Sequence, residues 1–256
     1  MQPFGCPAPP PAPHATPDPT TPQLALAVWP PSSPNLPSDY LASSRHHLPP
    51  ELAARAVLAY TDPGDLVLDP DCACGSVVVE AIRHGRRAIG LTSNTQDGAL
   101  AIANISHARD QGAPGRAAIL NGQRQQLPRL LRQAAALLDP VPGGGVARHP
   151  AGSVRLILTK PEVAELPDQL PALRRVLAPG GFLLLALDHK TGETPTGLGA
   201  IVAAAEERGL EYWQHVIALR IQPRQARLAH SDVLAFRKPT LARSSHDAVA
   251  AEAVSA

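Results

Sequence analysis

The sequence predicts an α/β domain built on a doubly wound, mostly parallel sheet. Short apolar runs typical of buried strands alternate with segments of helical periodicity, and turn residues separate them. Near the C-terminal end, two strand-like runs follow each other with only a short connection, which predicts an antiparallel edge. The 256 residues are 44% apolar and have a net charge of +1. This length predicts one domain with tails or two small domains, and the single run of alternating elements favours one domain.

The predicted elements follow one another in a regular order from residue 50 onward. The predicted strands are Leu66–Leu68, Arg87–Leu91, Ala117–Leu120, Val154–Leu158, Phe182–Leu187, Tyr212–Leu219 and Asp232–Phe236. The predicted helices are Leu52–Tyr60, Ser76–His84 with Ser76 as its cap, Asp97–Arg109, Leu127–Leu138, a helix carrying Leu170, Leu173 and Leu177 up to Pro179, and Leu198–Ala205. Between them, residues 140–152 form a predicted Gly/Pro loop.

Both ends of the chain lie outside this pattern. Residues 1–50 hold 15 of the 29 prolines, which lack the backbone donor that a helix or a central strand needs. We therefore predict a disordered, Pro-rich arm over residues 1–40, a domain over 41–240 and a disordered tail over 241–256. The arm is either an inert tail or a ligand for a partner protein. Its one apolar patch, Leu24–Trp29, can dock on the domain.

Several classes of protein are excluded by the composition. No apolar run approaches the ~18 residues that a membrane helix requires, and no Lys or Arg precedes Arg45, as a secretory signal would need. The three cysteines, Cys6, Cys72 and Cys74, do not form a disulfide framework, so a cytoplasmic protein is expected. Cys72 and Cys74 with nearby His84 lack a second pair of ligands for zinc, so we expect no metal and interpret these cysteines as packing residues.

In a doubly wound sheet, ligands bind beyond the carboxyl ends of the strands. The segments that follow the first four predicted strands are Asp69-Pro70-Asp71-Cys72-Ala73-Cys74-Gly75-Ser76, Thr92-Ser93-Asn94, Asn121-Gly122-Gln123 and Thr159-Lys160-Pro161-Glu162. The first combines an acid, a tight turn and a helix N-terminus, whose N–H groups suit an anionic ligand group. A purely structural turn explains this segment equally well, because Ala73 stands where a cofactor loop has a glycine.

Three segments give the chain a specific resemblance. They are His47-Leu48-Pro49-Pro50-Glu51-Leu52-Ala53, Pro63-Gly64-Asp65-Leu66-Val67-Leu68-Asp69-Pro70 and Gly85-Arg86-Arg87-Ala88-Ile89-Gly90. They resemble the proline-rich helix start, the strand-to-loop motif and the second strand of the N4-cytosine/N6-adenine DNA methylase family. Leu177-Ala178-Pro179-Gly180-Gly181-Phe182 is similar to the start of the fifth strand in S-adenosylmethionine methyltransferases. The resemblance implies a class I methyltransferase, Rossmann-like fold.

The resemblance also implies a cofactor, S-adenosylmethionine, and DNA as a partner. In the family, an acid and a Gly-rich loop hold the methionine end of the cofactor, and acids after the next two strands hold its ribose and adenine. The corresponding residues here are Asp69, Pro70, Cys72, Gly75, Thr92, Asn94 and Gln123. At Thr92, Asn94 and Gln123 the family's acids are replaced. Gly75 is expected to keep space for the ligand's contacts with the backbone.

The fourth strand of the family ends in a [DNS]-P-P-[YFW] motif, which accepts the hydrogens of the target amine and stacks on the flipped base. Here the segment is Thr159-Lys160-Pro161-Glu162-Val163. Charged Lys160 only donates hydrogen bonds, and Val163 cannot stack as an aromatic ring does. Thr159 and Glu162 are the candidate acceptors beside Pro161. The sequence thus predicts a degenerate DNA amino-methyltransferase with weak or no activity, or a non-catalytic cofactor-binding or regulatory module derived from one.

One further feature is a local excess of basic residues between residues 208 and 243. Seven Lys or Arg residues stand there against Glu211 and Asp232. Such an excess is typical of a phosphate-facing surface, and a solvated Arg-rich edge explains it equally well.

Overall fold

The chain alternates strands and helices, as the sequence predicts. The computed structural model describes residues 26–30, 48–122, 126, 129–130, 138, 153–188, 197–222 and 227–240. The strands are β1 Leu26–Trp29, β2 Leu66–Asp69, β3 Arg87–Thr92, β4 Arg116–Asn121, β5 Val154–Thr159, β6 Leu177–Asp188, β7 Glu211–Gln222 and β8 Arg227–Arg237. The helices are α1 Pro50–Tyr60, α2 Ser76–Arg83, α3 Thr95–Asp110, α4 Leu166–Val176 and α5 Leu198–Glu207, and a 3-10 turn spans Val163–Glu165.

The described strands form one eight-stranded sheet in the order β1-β7-β8-β6-β5-β2-β3-β4. All neighbouring pairs are parallel except those of β8, which is antiparallel to both β6 and β7. This is a class I, Rossmann-like α/β arrangement, and the predicted antiparallel element is confirmed. The observed sheet differs from the predicted one in the place of the antiparallel strand. Strand β8 lies inside the sheet, and β1 forms the edge beside β7.

Each face of the sheet packs its own apolar cluster. One cluster joins α1, α2 and α3 to residues such as Val67 and Leu184, and the other joins α4 and α5 to residues such as Leu68 and Leu185. Because side chains alternate along a strand, consecutive residues enter opposite clusters. Burial on both faces explains why the strands are continuous apolar runs. No helix in the part of the chain that the structure describes is long and apolar enough to cross a membrane.

Several boundaries differ from the prediction, and β8 begins at Arg227, five residues earlier than expected. Helix α4 ends at Val176, and Leu177 is extended and begins β6. Ser76 is not a cap, because left-handed Gly75 precedes the helix. Helix α3 begins two residues early at Thr95, after its cap. The predicted helix Leu127–Leu138 and the loop 140–152 lie largely or wholly outside the described residues.

Strand β1 corrects the prediction that residues 1–40 are an arm without structure. Leu26 to Trp29 pair in parallel with His215 to Ala218 of β7, so this apolar patch belongs to the sheet. Ala27 and Trp29 pack on the cluster of α1, whereas the opposite side of the strand is exposed. An edge position suits a short strand between prolines, because its outer donors need no partner strand. The remainder of the predicted arm and tail lies outside the described residues.

A buried arginine fixes the start of β3 to two helix ends. Arg86 is 6% exposed, and its Nε donates to Thr61 Oγ1 over 3.0 Å. Its two terminal nitrogens donate to the carbonyls of Thr61, over 2.6 Å, and of His84, over 2.5 Å. The guanidinium therefore satisfies backbone carbonyls that follow α1 and α2, which is the usual requirement for burying such a group.

Candidate functional site

The candidate site lies at the carboxyl end of β2, where the strand order of the sheet reverses. Strand β2 pairs with β3 on one side and with β5 on the other. In open α/β sheets this switch point opens a crevice at the carboxyl edge, where ligands bind. Asp69, the last residue of β2, and Thr159, the last residue of β5, end these two adjacent strands. The structure therefore brings the predicted cofactor loop and the predicted catalytic segment to the same edge.

The loop that follows β2, residues 69–75, is tightly folded. Asp69 is 3% exposed, and its Oδ1 accepts a 3.1 Å hydrogen bond from the Asp71 backbone N–H. The backbone N–H of Cys72 donates to the Leu91 carbonyl of β3 over 2.8 Å, and that of Gly75 donates to the Cys72 carbonyl over 2.6 Å. Helix α2 begins directly after the loop with no side-chain cap. Its first N–H groups therefore have no side-chain cap, an arrangement that suits an anionic ligand group.

Two residues of this loop have left-handed backbone. Gly75 has φ +84° and Ala73 has φ +41°, and Ala73 alone among the described residues other than glycine has a positive φ. A Cβ on Gly75 would lie 3.0 Å from the Cβ of Ala101 in α3. The missing side chain of Gly75 therefore makes room for α3, and the role predicted for Gly75 in contacts with a ligand stays a prediction. Ala73 is strained by roughly 1 kcal/mol where a glycine would not be.

Three carboxylates lie in or beside the loop and act on its two cysteine thiols. Burial raises the pKa of the Cys72 thiol well above its ordinary value, and the charges of Asp69, Asp71 and Asp97 raise it further. Burial likewise raises the pKa of Cys74. Both thiols are thus neutral at physiological pH and unsuited to act as nucleophiles. They pack in the interior, in agreement with the packing interpretation.

The end of β3 is occupied by a helix start. Thr92 Oγ1 donates to the Asn94 carbonyl over 3.0 Å and accepts from the Asn94 backbone N–H over 3.1 Å. The Asn94 side-chain oxygen accepts from the backbone N–H groups of Gln96 and Asp97 and so caps α3. This oxygen is committed to the helix. Asp97, in the first turn of α3, is half-buried, and its charge acts on both thiols of the loop.

The end of β5 is buried at first and then emerges into solvent. Thr159 is 1% exposed, and its Oγ1 has no hydrogen-bond partner among the described residues. Lys160 is half-buried and Pro161 is buried. Glu162 is exposed and leads into the 3-10 turn, and Val163 is 51% exposed. A buried hydroxyl oxygen without a partner is uncommon and marks Thr159 as a group with an unused hydrogen bond.

Comparison with known sequences gives a family for the first part of this region. Residues 26–102, which span β1 to the middle of α3, match the family of DNA methylases. This match, which covers less than a third of the chain, supports the resemblance to a divergent methyltransferase. No curated protein matches it.

Solved structures share the fold of this chain at low sequence identity. A SAM-dependent methyltransferase from Methanosarcina mazei is 16% identical with a TM-score of 0.51, and the match covers 76% of this chain and 99% of that one. Precorrin-6y C5,15-methyltransferase from Geobacter metallireducens is 12% identical with a TM-score of 0.52, covering 79% and 95%. The [4+2]-cyclase SpnF is 16% identical with a TM-score of 0.50, covering 78% and 86%.

The structure brings most of the predicted site residues of the chain together, and one of them lies outside the described residues. It gathers Asp69, Pro70, Cys72, Gly75, Thr92, Asn94, Thr159, Pro161 and Glu162 at or next to the ends of β2, β3 and β5. Gln123 lies outside the described residues. Sequence reasoning missed Asp97, although its place three residues after the Asn94 cap is a recognisable signature of a helix start. The family pattern has its acid at the end of the strand, whereas Asp97 lies in the first turn of the following helix.

Proposed function

We propose that this chain is a divergent methyltransferase that binds S-adenosylmethionine at the carboxyl edge of its sheet and transfers the methyl group to DNA weakly or not at all. The observation that carries the proposal is the loop 69–75, where a buried acid, a left-handed turn and an uncapped helix follow one another. The cofactor, when bound, supplies an electrophilic methyl group on a sulfonium. The proposal rests on the residues around that loop and on the family match of residues 26–102.

The charges and polar groups around the loop 69–75 match those of S-adenosylmethionine. Asp69, Asp71 and Asp97 gather negative charge that suits the ammonium and the sulfonium of the ligand. The uncapped N–H groups at the start of α2 suit its carboxylate. Asp97 is our candidate for the ribose hydroxyls, because Thr92 and Asn94 are engaged in starting α3. This assignment replaces the acid that the family has at the end of the second strand.

Weak transfer follows from the segment after β5. The exocyclic amine of a nucleobase becomes nucleophilic only when oxygen atoms accept its hydrogens and localise its lone pair. Lys160 can only donate while it is charged, and it opposes the positive charge that develops on the attacking nitrogen. Thr159 Oγ1 is the one acceptor candidate that is buried at this edge, because Glu162 is exposed. Losing a preorganised partner of this kind typically costs ~10²–10³ in rate.

The second candidate function is a cofactor-binding or regulatory module without transfer activity. The same substitutions at Lys160 and Val163 favour it. A structure with the same fold is described as a [4+2]-cyclase and not as a methyltransferase, so this fold alone does not fix methyl transfer as the reaction. The two candidates agree on cofactor binding and differ on chemistry, so two experiments separate them.

The first experiment is calorimetric titration of the full chain with S-adenosylmethionine and S-adenosylhomocysteine. We expect saturable binding of both, weakened about tenfold or more by Asp69→Asn and by Asp97→Asn, since each removes a charge-assisted contact. The matched control is Asp110→Asn, the same change at the exposed far end of α3. Absence of binding by the unmodified chain contradicts the proposal for both candidates.

The second experiment follows tritium from labelled cofactor into unmethylated genomic DNA. We expect little or no incorporation, and little rescue by Lys160→Ser, Glu162→Pro and Val163→Tyr together, because acids of the family pattern are also lacking elsewhere. Saturable incorporation that Thr159→Val abolishes would establish an active enzyme with Thr159 as the acceptor. Incorporation lost with Glu162→Gln would assign that role to the exposed carboxylate.

A further inference from the structure

Aromatic side chains gather at the amino end of the parallel strands, on the edge opposite to the cofactor loop. The whole chain has only three Phe, two Trp and three Tyr residues. The rings of Tyr60 and Phe182 have centroids 4.9 Å apart, and Phe182 and Trp213 lie 5.8 Å apart, edge to face. The pairing of β7 with β8 shifts register between Tyr212 and Gln214. This irregularity re-aims Trp213 toward Phe182 and leaves it 44% exposed.

Arginine side chains lie over these rings. The Arg237 guanidinium is 5.1 Å from the centre of the Trp213 ring, and that of Arg155 is 5.6 Å from the centre of Phe182. Gly180 lies between them, since a Cβ there would be 3.4 Å from a terminal nitrogen of Arg155 and 3.8 Å from one of Arg237. The two guanidiniums thus flank the same glycine and hold positive charge next to an exposed indole.

The positive charge of this surface is only partly matched. Lys238 follows Arg237, and burial, then the charge of Arg174, lowers its pKa. Two carboxylates face the cluster: Asp65 Oδ2, 4.0 Å from Arg155 Nε, and Glu211, opposite Arg237 in the sheet register. Arg237 forms no ion pair within the described part of the chain, and its buried Nε has no acceptor there. Because Nε is buried, the terminal nitrogens of this half-buried arginine are the donors that meet an outside anion.

We propose that Trp213, Arg237, Arg155 and Lys238 form a binding surface for single-stranded nucleic acid. An unpaired base stacks on the exposed indole, and neighbouring phosphates meet the guanidiniums, which is the combination that binds single strands without sequence preference. Duplex DNA offers phosphates but keeps its bases stacked inside, so it leaves the indole unused. We name these four residues the amino-edge surface. Its function is independent of the cofactor and of methyl transfer.

The experiment uses the full chain with Trp29→Phe, so that Trp213 is its only tryptophan. Titration with a 12-nucleotide oligo-dT strand, without cofactor, is expected to quench the fluorescence and to give a dissociation constant. Trp213→Leu, followed by anisotropy of a labelled strand, is expected to weaken binding about tenfold, the usual effect of losing one stacked base. Arg237→Gln is expected to weaken it and to reduce the salt dependence by about 0.7 in slope, one phosphate contact.

Controls separate this surface from general charge and from the cofactor site. Arg109→Gln removes an exposed charge on α3 and is expected to change binding less than twofold. Asp69→Asn is expected to leave it unchanged, so failure of the cofactor proposal and failure of this one are distinguishable. The inference is overturned if no oligonucleotide quenches Trp213, if a duplex of equal length binds as tightly as the single strand, or if Arg109→Gln is as damaging as Arg237→Gln.

Discussion

Two neighbouring segments of the carboxyl edge differ in how deeply they pack. In the loop 69–75 every residue except Asp71 is buried, whereas Glu162 and Val163 after β5 are exposed. The loop keeps much of the family pattern, and the exposed segment has lost it. The loop residues also serve the fold: Gly75 makes room for α3, and Cys72 packs so closely on Gly90 that a Cβ there would lie 2.9 Å from its sulfur. Packing can preserve a motif even where the chemistry that used it has changed.

The largest expected effect tests whether Gly75 is retained for packing. Gly75→Val introduces a branched side chain at positive φ and against Ala101, so we expect a loss of about 3–5 kcal/mol in the free energy of unfolding, measured in urea without cofactor. Gly64→Val is the matched control, because Gly64 has φ +86° but nothing within 4 Å of its Cβ position. It should lose only the backbone part, about 2 kcal/mol. Equal losses at the two glycines would refute the packing explanation.

The second prediction compares Arg86 with the adjacent Arg87, both of which lie within residues 26–102, the part that matches the DNA methylase family. Arg86→Leu removes the donors to Thr61 and His84 and leaves buried carbonyls unpaired, so we expect a loss of about 2–3 kcal/mol in the free energy of unfolding. Arg87→Leu removes an exposed hydrogen bond to the Gly64 carbonyl and should cost less than about 1 kcal/mol. Chemical denaturation of both variants gives the difference, and a larger loss at Arg87 would contradict the structural role of Arg86.

The third prediction concerns the pH dependence of the free energy of unfolding, to which the buried Cys72 thiol contributes. The pKa of Cys72 in the folded chain lies above its ordinary value of 9.0, so the folded state holds a proton that the unfolded state releases. The stability that this thiol contributes is therefore complete below pH 9 and declines as the pH rises above it, by about 1 kcal/mol at pH 10. Urea unfolding from pH 7 to 10 should show the decline, and Cys72→Ala should reduce it, with a remainder from Cys74, whose pKa burial also raises. An identical decline in the variant would assign it to other groups.

The smallest effect is expected in the exposed segment. Val163→Tyr, which restores the aromatic residue of the family motif, should change the free energy of unfolding by less than about 0.5 kcal/mol, because half of this side chain already faces solvent. Thermal melting compared with the unmodified chain measures it. A loss above 1 kcal/mol would show that packing constrains this segment too, and would remove the contrast with the loop 69–75.

Apolar periodicity predicted most elements of the sheet and its two layers, because strands buried on both faces are continuous apolar runs. It could not predict the edge position of β1, since Leu26 pairs with His215 far along the chain. The acids posed a similar problem: Asp97 acts on the loop only because α3 packs beside it. The exposed position of Trp213 could not be predicted either. A local register shift breaks the alternation of inward and outward side chains along β7. Each of these depends on contacts between distant segments.

The pairing of β1 with β7 also constrains the order in which the molecule can assemble. Leu26 and His215 are about 190 residues apart, and β7 itself pairs with β8, which ends at Arg237. During synthesis from the N-terminus, β1 thus has no partner strand until β7 has also left the ribosome. Contacts of such separation form slowly, because loop-closure entropy opposes them. Until β1 docks, the outer edge of β7 is open to pairing with other chains.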